Sequence, residues 1–150
     1  MKISDFLSRD MIKIGLESTS KKDVIIELVD ILAKTKKIVD KDNIVKILME
    51  REKLGTTGIG QGVAIPHAKT DSVKDVLAVF GISKKGVNFS SLDGEPVYII
   101  FMFLSPENSS GLHLKVLAKA SQLLKDKYFR EPLKELNTVD EVIKMIKDEE

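Results

Sequence analysis

Two histidines are the side chains of this sequence best suited to group-transfer chemistry, because the chain contains no cysteine. His67 directly follows the short apolar run and proline Val63-Ala64-Ile65-Pro66. Such a run is typical of a buried strand, and a proline removes one backbone donor, so the strand should stop pairing at Pro66 or lie at an edge. An imidazole held on this firm backbone, but pointing out of the sheet, is suited to act as a reactive group.

A glycine-rich stretch leads into His67 and holds four of the nine glycines within eight residues, 55–62. It is not a Walker A loop, because Val63 follows Gly62 where Lys-Ser/Thr is needed, and a helix is predicted before it. The pattern G-x-G-x-x-G of dinucleotide-binding proteins is also absent. The stretch is therefore either an ordinary helix-to-strand loop or one whose backbone N–H groups hold an anion.

Two further residues are candidates for the same site. His113 falls in the first turn of a predicted helix, where it either packs against Ile or Val neighbours or lies beside His67. Arg51 falls in the last turn of the helix before the glycine-rich stretch, from which its side chain could point toward whatever that stretch holds. A cation and a second imidazole next to His67 would suit an anionic ligand.

Three chemistries use such a pair of histidines. A neutral imidazole can take up a phosphoryl group as a nucleophile. Two histidines and a carboxylate can bind zinc, but H-E-x-x-H is absent and only Asp71 is an acidic residue close to His67. A histidine can serve as general base for a serine, which is the weakest of the three because the sequence has no G-x-S-x-G.

The composition excludes several other classes of function. A chain of 150 residues that is 43% hydrophobic is most simply one domain with a sizeable core. The net charge of +1 predicts neither a nucleic acid nor an anionic membrane as partner. The longest apolar run, Val97 to Leu104, is too short for a membrane-spanning helix. The N-terminus lacks the pattern of a secretory signal, so we expect a soluble, cytoplasmic protein.

The elements that position these residues alternate between strands and helices. Hydrophobic periodicity and turn residues predict strands at about 11–16, 63–65, 76–83 and 97–104, with a further short strand at 86–89. They predict helices at about 21–36, 40–53, 112–125 and 128–136, and a last helix that opens at the capping box Thr138-x-x-Glu141. The 97–104 strand is apolar on both faces and should lie in the middle of a covered sheet. The predicted inner face of the 112–125 helix is Leu114, Leu117, Ala118 and Leu124.

Three segments of the sequence resemble a known family. Arg51-Glu52-Lys53 followed by Thr57-Gly58-Ile59-Gly60-Gln61-Gly62-Val63-Ala64-Ile65-Pro66-His67-Ala68 is similar to the active-site signature of IIA domains of the fructose–mannitol class. These domains belong to the bacterial sugar phosphotransferase system, and the nitrogen-related regulatory IIA protein is of the same class. The other two similar segments are 92–97 and 113–119. Beyond these segments, the resemblance extends over nearly the whole chain.

The resemblance implies a fold, a reaction and partners. The fold would be α/β (α+β), with a mixed sheet covered by helices on both faces, in a single domain over residues 1–150. His67 would accept a phosphoryl group from the carrier protein HPr and pass it to a cysteine of a IIB domain or subunit. His113 and Arg51 match the supporting residues of the family.

The residues themselves agree with phosphoryl transfer, which depends mainly on positioning and on charge stabilisation. Backbone N–H groups of the loop at Thr57, Gly58, Gly60 and Gly62 could cradle the phosphoryl oxygens. The residues require no cofactor and no metal. The nitrogen-related relatives imply an alternative, in which phosphorylation of His67 controls the binding of target proteins.

Overall fold

The computed structural model describes residues 2–150. Two short 3₁₀ helices, Ile3–Phe6 and Arg9–Met11, precede the first strand. The strands are β1 (Ile12–Ile14), β2 (Gly58–Gly60), β3 (Val63–Ala64), β4 (His67–Lys69), β5 (Leu77–Val87) and β6 (Val97–Ser105). The helices are α1 (Lys21–Lys34), α2 (Lys41–Lys53), α3 (Ser110–Lys125), α4 (Lys127–Lys134) and α5 (Val139–Glu149).

The strands form one mixed, six-stranded sheet in the order β1-β5-β6-β3-β2. β6 is antiparallel to β5 on one side and parallel to both β3 and β4 on the other. β1 pairs in parallel with β5 at the edge of the sheet, as the sequence predicts. β6 therefore lies inside the sheet and is the strand on which β4, and with it His67, is aligned.

Helices cover both faces of this sheet. Every residue of β6 except Tyr98 is buried, and so are the first seven residues of β5, from Leu77 to Ser83. Because successive strand residues point to opposite faces, burial of all of them requires cover on both sides. Within the core, the Phe101 ring stacks on Phe103 at 4.8 Å and meets Phe80 edge-on at 5.1 Å between ring centroids. The predicted α/β fold with a mixed, covered sheet in a single domain is confirmed.

The predicted starts of α1, α2 and α5 are confirmed by their caps, whereas α3 begins at Ser110, two residues before the predicted start and without a side-chain cap. The Ser20 side chain accepts a hydrogen bond from the Asp23 amide at the start of α1, and Asp40 caps α2 in the same way. The Thr138 hydroxyl accepts from the Glu141 amide at the start of α5. α1 ends at Lys34, two residues before the predicted end, where the chain turns through the positive φ of Lys36, 62°.

The inner face of α3 differs from the prediction. Its buried residues are His113, Val116, Ala120 and Leu124, whereas Leu114 and Ala118 are exposed and Leu117 is partly buried. Relative to the predicted inner face, the helix is rotated so that His113, a polar residue that hydrophobic periodicity does not consider, faces the sheet. His113 thereby becomes part of the layer between α3 and β6.

Two strand boundaries also differ from the prediction. β3 ends at Ala64, before Pro66, but pairing with β6 resumes at once in β4, which begins at His67 and pairs with β6 alone. The predicted 76–83 and 86–89 strands are largely one strand, β5, which bulges and pairs again with β6 through Val87 and Val97. The local sequence shows where a backbone donor is missing, but it does not show with which distant strand the chain pairs beyond that point.

Candidate functional site

His67 is fixed by the register of β4 on β6. The Phe103 amide donates to the Pro66 carbonyl at 3.0 Å, and His67 stands opposite Phe103. Residues paired in a parallel ladder project to the same face of the sheet, so that His67 shares a face with Phe103 and, two residues on, Lys69 shares it with Ser105. The proline loses its own donor but keeps its acceptor, which the sheet uses to align the residue after it.

The two ring nitrogens of His67 have different surroundings. Nδ1 lies 2.8 Å from the Ile65 carbonyl oxygen. A carbonyl can only accept, so Nδ1 carries the proton and Nε2 has the free lone pair of a neutral ring. Burial lowers the pKa of His67 below its ordinary 6.5, and the positive charge of Arg51 lowers it further, against opposing contributions from Ile65 and Glu52. The ring is thus a half-buried neutral imidazole at pH 7, with Nε2 available as a nucleophile.

His113 lies beside His67, with 5.5 Å between the ring centroids. Its ring is 6% exposed, and its Nδ1 lies 2.6 Å from the hydroxyl oxygen of Ser105 at the end of β6. Burial, followed by the charges of His67 and Lys69, lowers the pKa of His113 to about 4. His113 therefore takes the predicted position beside His67, and it is also buried, with the Ser105 hydroxyl as its ring's partner.

Arg51 lies in the last turn of α2, and its positive charge is one of the causes that lower the pKa of His67. Its Nη1 donates to the Gly55 carbonyl at 2.9 Å, which ties the guanidinium to the start of the glycine-rich stretch. The structure thus places the His113 ring beside His67, and it places Arg51 against the glycine-rich stretch. Two imidazoles with low pKa values and a permanent cation form a site suited to a negatively charged group.

Glu52 is a buried residue of this region that the sequence reasoning did not single out. Its carboxylate pairs with Lys21 Nζ at 3.0 Å, and its side chain is 2% exposed. It also accepts from the Thr57 amide at 3.0 Å and from the Thr57 hydroxyl at 2.5 Å. The one available signal was the position of Glu52 between Arg51 and the glycines. Lys21, at the start of α1, offered no such signal.

The glycine-rich stretch folds as a narrow hairpin of β2 and β3. A Cβ on Gly58 would lie 2.6 Å from the Ser91 hydroxyl oxygen and 3.0 Å from the Ser91 Cα, so a side chain there would collide. Gly62 has φ 81°, and its carbonyl accepts from the Tyr98 and Ile99 amides. Glycine is required at these two positions by close approach and by positive φ. The amide and hydroxyl of Thr57 both bond to Glu52, so Thr57 anchors the hairpin.

The other two chemistries find less support in this geometry. Among residues 2–150, no three His, Cys, Asp or Glu side chains lie close enough together to hold a metal ion. A zinc site would therefore lack a third protein ligand. Ser105 is the serine that contacts a histidine, but it is fully buried and is thus out of reach of a substrate.

Residues 5–149 match the family model described as "Phosphoenolpyruvate-dependent sugar phosphotransferase system, EIIA 2". The chain belongs to this family. This chain is 40% identical over 146 residues to the fructose-specific EIIABC component of Bacillus subtilis. That alignment covers 97% of the chain, which spans only 23% of the longer relative.

Solved structures agree with the family assignment. The crystal structure of nitrogen regulatory protein IIA-Ntr from Neisseria meningitidis superimposes with a TM-score of 0.90 at 36% identity, covering 96% of this chain and 98% of that one. The Escherichia coli complex of IIA mannitol with phosphorylated IIB mannitol contains a chain with TM-score 0.79 at 24% identity. It covers 95% of this chain and 97% of that one, and it supports the fold alone. None of the helices in residues 2–150 combines the length and the apolar character needed to span a bilayer.

Proposed function

We propose that this IIA domain, taken over residues 1–150, is a phosphocarrier of a sugar phosphotransferase system. His67 accepts a phosphoryl group from a phosphohistidine of HPr and passes it, in the cytoplasm, to a cysteine of a IIB domain or subunit. The observation that carries this proposal is the hydrogen bond from His67 Nδ1 to the Ile65 carbonyl, because it leaves Nε2 unprotonated beside a second imidazole.

The transfer step requires only a lone pair and a leaving imidazole. The Nε2 lone pair of His67 forms a bond to phosphorus while the P–N bond to the donor histidine breaks, and that bond's electron pair returns to the donor ring. The Nδ1 proton stays on His67, where the Ile65 carbonyl stabilises the positive charge that the ring gains. In the next step a thiolate of the IIB domain attacks the same phosphorus, and the electron pair of the P–N bond returns to Nε2 of His67.

Charge stabilisation of the phosphoryl group falls to the neighbours of His67. Arg51 supplies a fixed positive charge, and the His113 ring supplies an N–H donor. The role of Thr57, Gly58, Gly60 and Gly62 as a phosphate cradle stays a prediction, since the hydrogen bonds of Thr57 already go to Glu52. These residues require neither a cofactor nor a divalent metal for the transfer.

Partner proteins would dock on the exposed apolar side chains near the site. Leu54 follows Arg51 by three residues and Leu112 adjoins His113. Leu92 donates its amide to the carbonyl of Gly58, the residue before Ile59. These four side chains, Leu54, Ile59, Leu92 and Leu112, are exposed. Patches of this kind at a shallow site suit small, transient interfaces. IIB is proposed as acceptor because the Bacillus subtilis relative is named EIIABC, and because a IIA of the same fold has been solved with phosphorylated IIB.

A regulatory function is the second candidate. It is favoured by the likeness to IIA-Ntr of Neisseria meningitidis, which exceeds that to the mannitol IIA in both identity and TM-score. In this case phosphorylation of His67 would change which target protein binds. Transfer of phosphate from the loaded domain to a IIB protein favours transport, whereas binding of a kinase or channel that depends on phosphorylation, without such transfer, favours regulation.

Phosphate uptake from purified phospho-HPr tests the proposal. His67→Ala should abolish uptake while the circular dichroism spectrum stays that of the wild type, and His113→Ala should leave a slower but measurable transfer. The bound phosphate should be acid-labile, as a phosphohistidine is and a phosphoserine is not. Uptake at the wild-type rate by both variants would refute the assignment of the site.

A further inference from the structure

Among the residues that the structure describes, the His113 ring has one hydrogen-bond partner, the hydroxyl group of Ser105. The two atoms, Ser105 Oγ and His113 Nδ1, are 2.6 Å apart. Ser105 is the last residue of β6 and is 0% exposed, so no solvent replaces this contact. Within residues 2–150, the Ser105 hydroxyl makes no hydrogen bond other than this one. Whatever this hydroxyl does with its proton therefore decides the protonation pattern of the His113 ring.

The direction of the hydrogen bond follows from counting donors and acceptors. A serine hydroxyl has one proton to donate and lone pairs to accept with. If Nδ1–H donated to Ser105, the hydroxyl proton would be buried with no acceptor, and an unpaired buried donor loses its hydration without compensation. If the hydroxyl donates to Nδ1, both groups are satisfied. We propose that Ser105 donates to His113 Nδ1 and so fixes the neutral His113 ring with its proton on Nε2.

Fixing this tautomer matters for the site next to it. The inference rests on the proposed function in one respect, that His67 carries the phosphoryl group on Nε2. A His113 ring that holds its proton on Nε2 presents a hydrogen-bond donor from the ring nitrogen not used by Ser105, at a centroid separation of 5.5 Å from His67. The opposite tautomer would present a lone pair, which repels an anionic phosphoryl oxygen. Ser105 is thus a positioning residue that acts through His113.

Nitrogen NMR of protein labelled in its histidines tests the tautomer directly. At pH 7.5, above the ordinary histidine pKa, the wild-type His113 should give an unprotonated-type Nδ1 signal and a protonated-type Nε2 signal. In Ser105→Ala, the two His113 signals should move toward each other as the tautomers mix. Ser105→Thr, which keeps a hydroxyl, should restore the wild-type pattern. The signals of His67, fixed by Ile65, should stay unchanged in both variants and serve as the internal control.

The same variants give a kinetic readout. Phosphate uptake from phospho-HPr should be about fivefold slower in Ser105→Ala, the factor expected for one neutral hydrogen bond, and should return toward wild type in Ser105→Thr. A protonated Nδ1 of His113 in the wild-type protein would overturn the proposal. So would a Ser105→Ala variant whose His113 keeps the pure Nε2–H tautomer, or one that takes up phosphate at the wild-type rate. The wild-type spectrum decides the tautomer even if a variant fails to fold. A wild-type domain that takes up no phosphate would overturn the proposed function and leave the tautomer assignment standing.

Discussion

Replacing Glu52 by glutamine tests whether a buried charge holds the glycine-rich hairpin in place. The substitution keeps the shape of the side chain but removes the negative charge that faces Lys21 Nζ at 3.0 Å. Lys21 would remain as a cation whose side chain is only 17% exposed, facing a neutral amide oxygen in place of the carboxylate, with Thr56 and the Phe89 ring as its other contacts. With its oxygen toward the Thr57 amide, the glutamine places its NH₂ group against the Thr57 hydroxyl, so this second hydrogen bond persists only in reverse, with the hydroxyl accepting.

The expected loss of stability follows from this burial. Removing one partner of a fully buried ion pair costs about 3–5 kcal/mol. Because Lys21 keeps partial access to water and two other contacts, we expect about 2–3 kcal/mol for Glu52→Gln. For a chain of this length, a change of that size should lower the melting temperature by roughly 5–10 °C. Urea unfolding followed by circular dichroism measures the free energy of unfolding directly.

The structure offers a matched control on the same two helices. Lys41 on α2 pairs with Asp30 on α1 at 2.8 Å, but both side chains are nearly half exposed. Asp30→Asn should leave the unfolding curve unchanged, because exposed ion pairs contribute little. The double variant Lys21→Met/Glu52→Gln should be more stable than Glu52→Gln alone, because it removes the uncompensated charge. If Glu52→Gln unfolds like Asp30→Asn, the buried pair does not hold the hairpin and the reasoning fails.

Three shorter predictions concern the pKa of His113, the phosphorylated atom of His67 and the packing of Gly81. Burial lowers the pKa of His113 to about 4, so the unfolded chain binds the proton more tightly than the folded one. The free energy of unfolding should therefore fall as pH drops from 6.5 toward 4, and urea unfolding across this range measures that change. In the loaded domain, phosphorus should couple to Nε2 of His67, since Nδ1 is bonded to Ile65, and phosphorus–nitrogen NMR measures the coupling. Gly81→Ala should cost about 1–3 kcal/mol in urea unfolding, because its Cβ would lie 2.6 Å from Leu16 Cδ1.

Each of these predictions has its own control. His113→Gln should reduce the pH dependence between 6.5 and 4 without abolishing it, because the pKa of His67 is lowered as well, and an unchanged slope would assign it to other groups. Coupling of phosphorus to Nδ1 would contradict the proton position derived for His67. Gly111→Ala is the control for Gly81→Ala, because nothing lies within 4 Å of its Cβ and it lies in α3. It should be neutral or slightly stabilising, since alanine favours helix.

The parts of the fold predicted correctly from sequence are those set by local chemistry. Helix starts at Ser20, Asp40 and Thr138 depend on a side chain that bonds to an amide three residues ahead, so the signal and its partner lie within one turn. The position of β6 follows from an unbroken apolar run, which only a strand covered on both faces tolerates. In each case the deciding contact is short-range or purely hydrophobic.

The errors arise where a distant contact decides. The face of α3 was misassigned because Leu114 is apolar yet exposed, whereas His113 is polar yet buried against Ser105. The start of β4 at His67 depends on pairing with Phe103, far along the chain. Periodicity within a segment contains no information about either contact.

The candidate site divides in the same way. The residue types and spacing around His67 indicated the reactive imidazole, and the predicted helices placed Arg51 and His113 near it as one of two alternatives. The buried pair of Glu52 with Lys21 was not predicted, because it joins the ends of two different helices. Ser105 was treated only as the residue that closes a strand, since its partner becomes visible once α3 is docked on the sheet.

The alignment of β4 on β6 also determines when, during synthesis of the chain, the candidate site can form. Ribosomes release the chain from its N-terminus, so His67 emerges well before the strand that aligns it and the helix that carries His113. Since domains fold as units, a nascent chain that stops short of α3 lacks the ring of His113 beside His67. The candidate site is therefore complete only in a chain that extends past Lys125, the last residue of α3.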